Sequence, residues 1–250
     1  NDLGLLSSNV VLGHCVYPTE SDIDLLAKSD TGVTHHPSCN LRVRNGIAPI
    51  FHMHQAGMRV GIGIDSKGIN DDEDFIQEMK VWYLLQRIAS QELNSPYLSA
   101  REVLKMGTET GASLIGYGEE LGRLEINKYA DLVLLDYEKM CHPFVNPDHD
   151  PIDTLLYRGK GAHVHTVIVN GKIVVEAGRL VTVKEDAIAS RLVEAAARPR
   201  TETEQAKVKA MDELKTQVIK YYRYWPDEVD LDPYFFVNSR INGLKQKLKS

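Results

Sequence analysis

The sequence predicts a parallel α/β fold followed by a small antiparallel unit. Three observations predict it. Short apolar runs and amphipathic stretches alternate at roughly 25 to 30 residues, the rhythm of strand–helix–strand folds. Each of the first three apolar runs ends in a polar, chemically able residue: His14, His35 and Asp65. Asn170-Gly171 separates two β-branched runs, and Asn-Gly in that setting is the strongest short hairpin signal.

The elements follow in order. Asn9 to Val16 reads as a strand ending near His14. Thr19 is an N-cap, with Asp22 at the position where a capping box places an acid or amide. The helix from Glu20 to about Ser29 buries Ile23, Leu25, Leu26 and Ala27. Gly32 to His35 is a second strand, running into a Pro-stiffened loop, His36-Pro37-Ser38-Cys39-Asn40. A helix is expected from Gly46 to Gln55, closed by Gly57.

Arg59 to Ile64 is the third strand, a Val-, Ile- and Gly-rich run of the kind buried in parallel sheets. Asp65 follows it directly. Side chains at the C-terminal ends of such strands face the ligand crevice. A long helix is expected from Asp72 to Glu92, its apolar positions at a 3.6-residue period and its acidic residues at the positive N-terminus. Ser99 caps another helix, with Glu102 at the capping-box position. Beyond about Leu121, Leu132 to Leu135 and the runs flanking Asn170-Gly171 read as strands. Ala187 to Ala197 and Glu202 to Tyr222 are amphipathic stretches, and Trp225 to Ser250 is a mixed tail. The expected division is 1–120, 121–182 and 183–250.

Composition bounds the function. The 250 residues are 43% hydrophobic and 26% charged, as in ordinary globular chains. A net charge of −6 without a basic run argues against nucleic acid as a partner. No apolar run approaches the roughly 20 residues of a membrane span, so no membrane partner is expected. The first residues lack the basic region of a signal peptide. Cys15, Cys39 and Cys141 form no C-x-x-C pair, which favours reduced thiols and a cytoplasmic setting. The chain opens mid-pattern without Met, and an upstream part is expected.

The candidate residues each carry a plain structural alternative. Asp65 could cap the next helix, and His14 could be an ordinary hydrogen-bonded core histidine. His35 and His36 are neighbours, and strand neighbours face opposite ways, so at most one is expected in a shared site. His52 and His54 lack the i, i+4 spacing of paired helical ligands and read as surface residues. His142, His149, His163 and His165 lie far along the chain. Cys39 reads as a small loop residue rather than a nucleophile. No G-x-S-x-G, P-loop or dinucleotide fingerprint is present. A His and an Asp on successive strand ends recur in metal-dependent hydrolysis, where a divalent ion lowers the pKa of its water to about 7.

Four stretches resemble the C-terminal half of an amidohydrolase-superfamily enzyme. They are Gly13-His14-Cys15-Val16, Thr34 to Arg42, Asn45 to Pro49 and Ala56 to Asp65. The resemblance runs on through Thr108 to Gly116, Gly122 to Val133 and the Val167 to Glu176 hairpin. The nearest branch holds the triazine hydrolases, guanine deaminase and the S-adenosylhomocysteine/methylthioadenosine deaminases. The resemblance implies strands six to eight of a (β/α)8 TIM barrel and part of a small composite β-sandwich. It implies that Asp65 binds one divalent metal, zinc or else ferrous iron, and handles the water's proton. It makes His14 catalytic and a substrate contact, places His35 and Asn40 in the pocket floor, and puts Ser66 beside the substrate.

The implied activity is hydrolytic deamination of an amino-substituted nitrogen heterocycle by a homo-oligomer. A dechlorinating or cyclic-amide hydrolase is the alternative enzyme, and an inactive scaffold is the non-enzyme alternative. The H-x-H pair, the fifth-strand His and its Glu have no counterpart here and are expected upstream. His36 and Cys39 stand where the family carries Asn and Ser, and Gly63-Ile64-Asp65-Ser66 stands for Gly-Thr-Asp-Gly.

Overall fold

Three short parallel strands stand side by side in the order β1–β2–β3 in the computed structural model, which describes residues 3–70, 72–87 and 96–222. The chain gives β1 (Val11–Gly13), α1 (Glu20–Lys28), β2 (Gly32–His35), α2 (Pro37–Arg42), α3 (Ile50–Gln55) and β3 (Val60–Ile62). It continues with α4 (Lys67–Asn70), α5 (Phe75–Leu85) and α6 (Ala100–Lys105). A π-helical turn, Met106–Thr110, leads into α7 (Gly111–Leu114). Then follow β4 (Leu132–Leu135), α8 (Tyr137–Cys141), α9 (Pro151–Arg158), β5 (Val164–Val169), β6 (Lys172–Glu176) and β7 (Arg179–Leu180). Two long helices close the described chain, α10 (Glu185–Ala197) and α11 (Glu202–Tyr222).

The register of the parallel sheet decides where the site lies. Gly13 pairs with Thr34, and His35 with Ile62, so the three strands finish nearly level. The ladder runs one bond further on each side. The His14 N–H donates to the Thr34 carbonyl at 2.8 Å, and the Gly63 N–H to the His35 carbonyl at 3.0 Å. Val33 and Val60 are wholly buried and join Ile23, Leu26, Ile50, Met53, Trp82 and Val103 in one core. Each such side chain contributes roughly 1.5–3 kcal/mol on burial. Gly61 has a packing reason: a Cβ there would sit 2.7 Å from the Leu114 side chain, which packs against the sheet.

Both capping boxes read from the sequence are present, Thr19 with Asp22 and Ser99 with Glu102. Four boundaries differ from expectation. The first strand is only Val11–Gly13, because His14 and Cys15 take left-handed backbone conformations, φ 67° and 43°. The third strand is only Val60–Ile62. The helix expected from Gly46 starts at Ile50, because Pro49 disfavours helical backbone at Ala48. The helix expected from Asp72 starts at Phe75, because Asp74 turns its side chain onto the Ile76 and Gln77 N–H groups as N-cap. That helix closes at Leu85 with Gln86 as its C-cap, and residues 88–92 of the expected span lie outside the described residues. The tail from Trp225 also lies outside them.

The antiparallel unit is a sheet of order β4–β5–β6–β7. Asn170 (φ 47°) and Gly171 (φ 75°) make the two-residue turn, with Val169 paired to Lys172. Helices α8 and α9 interrupt this region and were not anticipated. Their signals were Asp136 and Asp150, each an N-cap, and Pro151 at the first helical position. The α9 helix ties the region to α5. Tyr157 meets Tyr83 edge-to-face at 5.6 Å, and Asp74 accepts the Gly161 N–H at 2.7 Å.

One compact unit holds the described residues up to Arg179, and a second holds those from Leu180. The second contains α10 and α11. Thr201 and Glu204 exchange hydrogen bonds at the start of α11, as in a capping box.

Candidate active site

His14 and Asp65 meet beyond the ends of β1 and β3. His14 Nε2 lies 3.5 Å from Asp65 Oδ2. Both residues have left-handed backbone, φ 67° and 70°. Such backbone costs of order 1–3 kcal/mol for a residue other than glycine and clusters at functional sites. Level strand ends bring the two residues together, and the left-handed turns face them towards each other.

A chain of hydrogen bonds orients His14. Its Nδ1–H donates to Asn40 Oδ1 at 2.8 Å. Asn40 Nδ2 in turn donates to His35 Nδ1 at 3.2 Å. Asn40 and His35 are both fully buried. Burial, followed by the charge of His36, pushes the His35 pKa down to about 3, so the ring is neutral at physiological pH. The Asn40 carbonyl fixes one tautomer of His14. Its Nε2 lone pair then faces the carboxylate and the open end of the sheet.

Asp65 is held ionised. The Cys39 thiol donates to its Oδ2 at 2.8 Å, and the Ser66 N–H donates to its Oδ1 at 2.7 Å. The Cys39 hydrogen bond, then that of Ser66 and the nearby His14 and His36 rings, keep the carboxyl below its usual range. Burial, then the bond to Asp65, pushes the Cys39 thiol up to about 11. Cys39 is therefore a protonated thiol at neutral pH and no nucleophile. It is also not in a loop, as expected, but on α2, because Pro37 opens a helix there.

Of the neighbours His35 and His36, it is His36 that stands beside His14, while His35 is buried behind Asn40. Strand alternation stops at His35, and His36 is the N-cap of α2 (φ −127°, ψ 74°). Its ring stacks on His14, centroids 4.5 Å apart, and its Nε2 hydrogen-bonds with Thr34 Oγ1 at 3.1 Å. Gly63 makes room for it: a Cβ there would lie 2.3 Å from the ring. Burial, then the charge of His14, lowers the His36 pKa against the pull of Asp65.

Glu78 was missed altogether. This buried carboxyl on α5 accepts the Ser38 N–H at 3.0 Å, anchoring the helix that carries Cys39 and Asn40. Burial raises its pKa. The signal was an acid one turn from Phe75 and Trp82, on the apolar face of its helix. His52 and His54 are half-buried rather than on the surface, and His54 Nε2 reaches Glu102 Oε1 at 3.3 Å. Neither belongs to the cluster. Among the described residues, only His14, Cys39 and Asp65 place three donor atoms within 4.8 Å of one another.

These residues fit a cation. With Nδ1 protonated, His14 Nε2 and Asp65 Oδ2 are two lone-pair atoms 3.5 Å apart. A cation held by Asp65 would relieve the close approach of these two electron-rich atoms.

No described helix is long and apolar enough to cross a membrane. The sequence pattern of the amidohydrolase family matches residues 1–174. The 5-methylthioadenosine/S-adenosylhomocysteine deaminase of Desulforudis audaxviator is 38% identical over 187 residues, 75% of this chain and 42% of that protein. The 5'-deoxyadenosine deaminase of Methanosarcina acetivorans is 33% identical, over 75% of this chain and 42% of that protein. A zinc-bound adenosine deaminase from Xanthomonas campestris superposes with a TM-score of 0.71 at 26% identity, covering 77% of this chain and 43% of that one. Atrazine chlorohydrolase from Arthrobacter aurescens, complexed with zinc and atraton, gives 0.69 at 29% identity, covering 77% and 42%. The chain thus spans less than half the length of the curated relatives it matches. The chain belongs to the amidohydrolase family.

Proposed function

We propose that this chain supplies strands six to eight of a (β/α)8 barrel, residues 1–120. Residues 121–182 then form part of a composite β-sandwich, and 183–250 a C-terminal extension. The reaction is hydrolytic deamination of an amino-substituted nitrogen heterocycle. The amino-purine nucleosides named for the sequence relatives are the leading substrates. The observation that carries this reading is the His14–Asp65 pair at level strand ends, with His14 oriented by Asn40.

Asp65 would hold the metal, with the other donors upstream. A bound divalent cation lowers the pKa of a water at the site. Asp65 takes that water's proton as its oxygen adds to the ring carbon bearing the amino group. That proton passes to the neighbouring ring nitrogen, the second proton of the added water goes to the amino nitrogen as the C–N bond breaks, and ammonia leaves while the oxygen stays as a carbonyl. His14 holds the attacking oxygen and the developing charge through Nε2. His35 and Asn40 form the buried floor behind His14, and exposed Ser66 stands at the mouth beside Asp65.

The test is ammonia release by the metal-loaded protein from amino-substituted purines, pterins, pyrimidines and triazines. The expected result is release from 5'-modified adenosines above all others. Release of chloride from a chlorotriazine, with no ammonia from any substrate, would transfer the site to the dechlorinating alternative. No product from any class would overturn the enzyme reading.

A further inference from the structure

We infer that His36 is a positioning residue: its ring is the wall that sets the plane of the His14 ring and so aims His14 Nε2. The inference rests on the reading that His14 holds the attacking oxygen, and it names what aims that residue. His14 needs such a wall. Its side chain is 38% exposed, and its backbone is left-handed. Its bond to Asn40 fixes the position of Nδ1 and leaves the ring free to pivot about that point. A second contact, out of the ring plane, is required to stop the pivot. The His36 ring supplies it, with centroids 4.5 Å apart and planes tilted by 33°.

The His36 ring is itself seated in a slot. It lies beside the ends of β1 and β3, and both carry glycine there. A Cβ on Gly13 would come to 4.0 Å from its Nε2, and a Cβ on Gly63 would overlap the ring. The Nε2 atom hydrogen-bonds with Thr34 Oγ1. The Nδ1 atom is buried against Gly63 and meets no hydrogen-bonding partner among the described residues. Neither nitrogen is left to bind substrate, so what the residue offers is a flat face. Tilted and offset ring pairs are the favoured geometry for such a contact. A flat apolar ring should therefore serve as well, which separates this role from hydrogen bonding.

The test reads His14 directly, by long-range proton–nitrogen NMR on the protein with isotope-labelled histidines. The pH is held at about 8, where an ordinary histidine is neutral. In wild type His14 is expected as one tautomer, protonated on Nδ1. In His36→Ala the ring swings off Asn40, and a mixture of tautomers is expected. His36→Phe should restore the single tautomer. Ammonia release should follow, with kcat lower by about tenfold in His36→Ala, KM unchanged and kcat recovered in His36→Phe. Gly63→Ala, whose methyl group evicts the His36 ring, is expected to change the His14 signal in the same way. It stands in where His36→Ala does not fold. A His14 signal unchanged in either variant overturns the inference, whether or not ammonia is released. A rise in KM at constant kcat also overturns it and makes His36 a substrate contact. Failure of His36→Phe to restore the signal overturns it too, and leaves the bond to Thr34 as the working part. The expected NMR changes in a protein that yields no product leave the inference standing and sink only the deaminase reading.

Discussion

The two sheets use the same residue types to different ends. In the parallel sheet, neighbouring strands run the same way and finish level, so the residues after Gly13, His35 and Ile62 converge. His14, His36 and Asp65 thereby become neighbours although 51 positions separate the first from the last. In the antiparallel sheet, one strand's end lies beside the next strand's start, and its polar residues serve the fold locally. Asp131 accepts the Asn170 N–H at the hairpin turn, and Asp136 caps α8. His165 bonds Thr166, its own neighbour. The contrast shows that strand polarity, not the abundance of histidine, gathers a site.

The sharpest way to break this comparison is to remove one group from each sheet. Asp65→Ala is expected to lower kcat/KM by several orders of magnitude, because metal donor and proton acceptor go together. His165→Ala should leave it within about twofold, as surface substitutions away from a site do. Comparable losses in the two variants, measured as ammonia release, would erase the distinction.

Asn40→Leu comes next. It leaves His14 without the partner that sets its tautomer, and a loss of about ten- to a hundredfold in kcat is expected, the usual effect of removing a group that orients a catalytic ligand. The buried His35 ring nitrogen also loses its partner, which costs about 1–3 kcal/mol of stability. Unchanged kcat in a folded variant would show that His14 needs no orienting.

The smallest effect concerns pH. The His35 pKa falls from 6.5 to about 3 on folding, so the unfolded chain binds more protons between those values. Stability from this group is complete above about 6.5 and is lost as the pH falls towards 3. His35→Gln should flatten stability against pH in that window relative to wild type, measured by urea midpoints. Equal slopes in the two proteins would mean that His35 titrates normally.

Much of the site was legible in the sequence, because parallel strands announce themselves as short apolar runs. The polar residue after each run then marks the crevice, which locates His14, His35 and Asp65. Asn40 came only through resemblance to the family motif, since nothing in its spacing tells that it bridges two histidines. His36 and Glu78 stayed hidden for different reasons. His36 reaches His14 because the strand stops one residue earlier, and strand limits are set by backbone conformation, here the left-handed turns at His14 and Asp65. Glu78 acts across 40 positions on a backbone N–H, a partner without a side-chain signature. The late start of α3, by contrast, was readable from Pro49 and the restriction that it places on Ala48.

The central claim is that the strand ends of the parallel sheet form the metal-side half of the site, with His14 facing substrate. The most direct test is the set of distances around the ion in a crystal structure of the zinc-loaded protein. An Asp65 oxygen is expected at about 2.0–2.2 Å from zinc, with His14 outside coordination distance and hydrogen-bonded to water or substrate. A His14 nitrogen at about 2.0–2.1 Å, or zinc bound away from Asp65, would contradict the account.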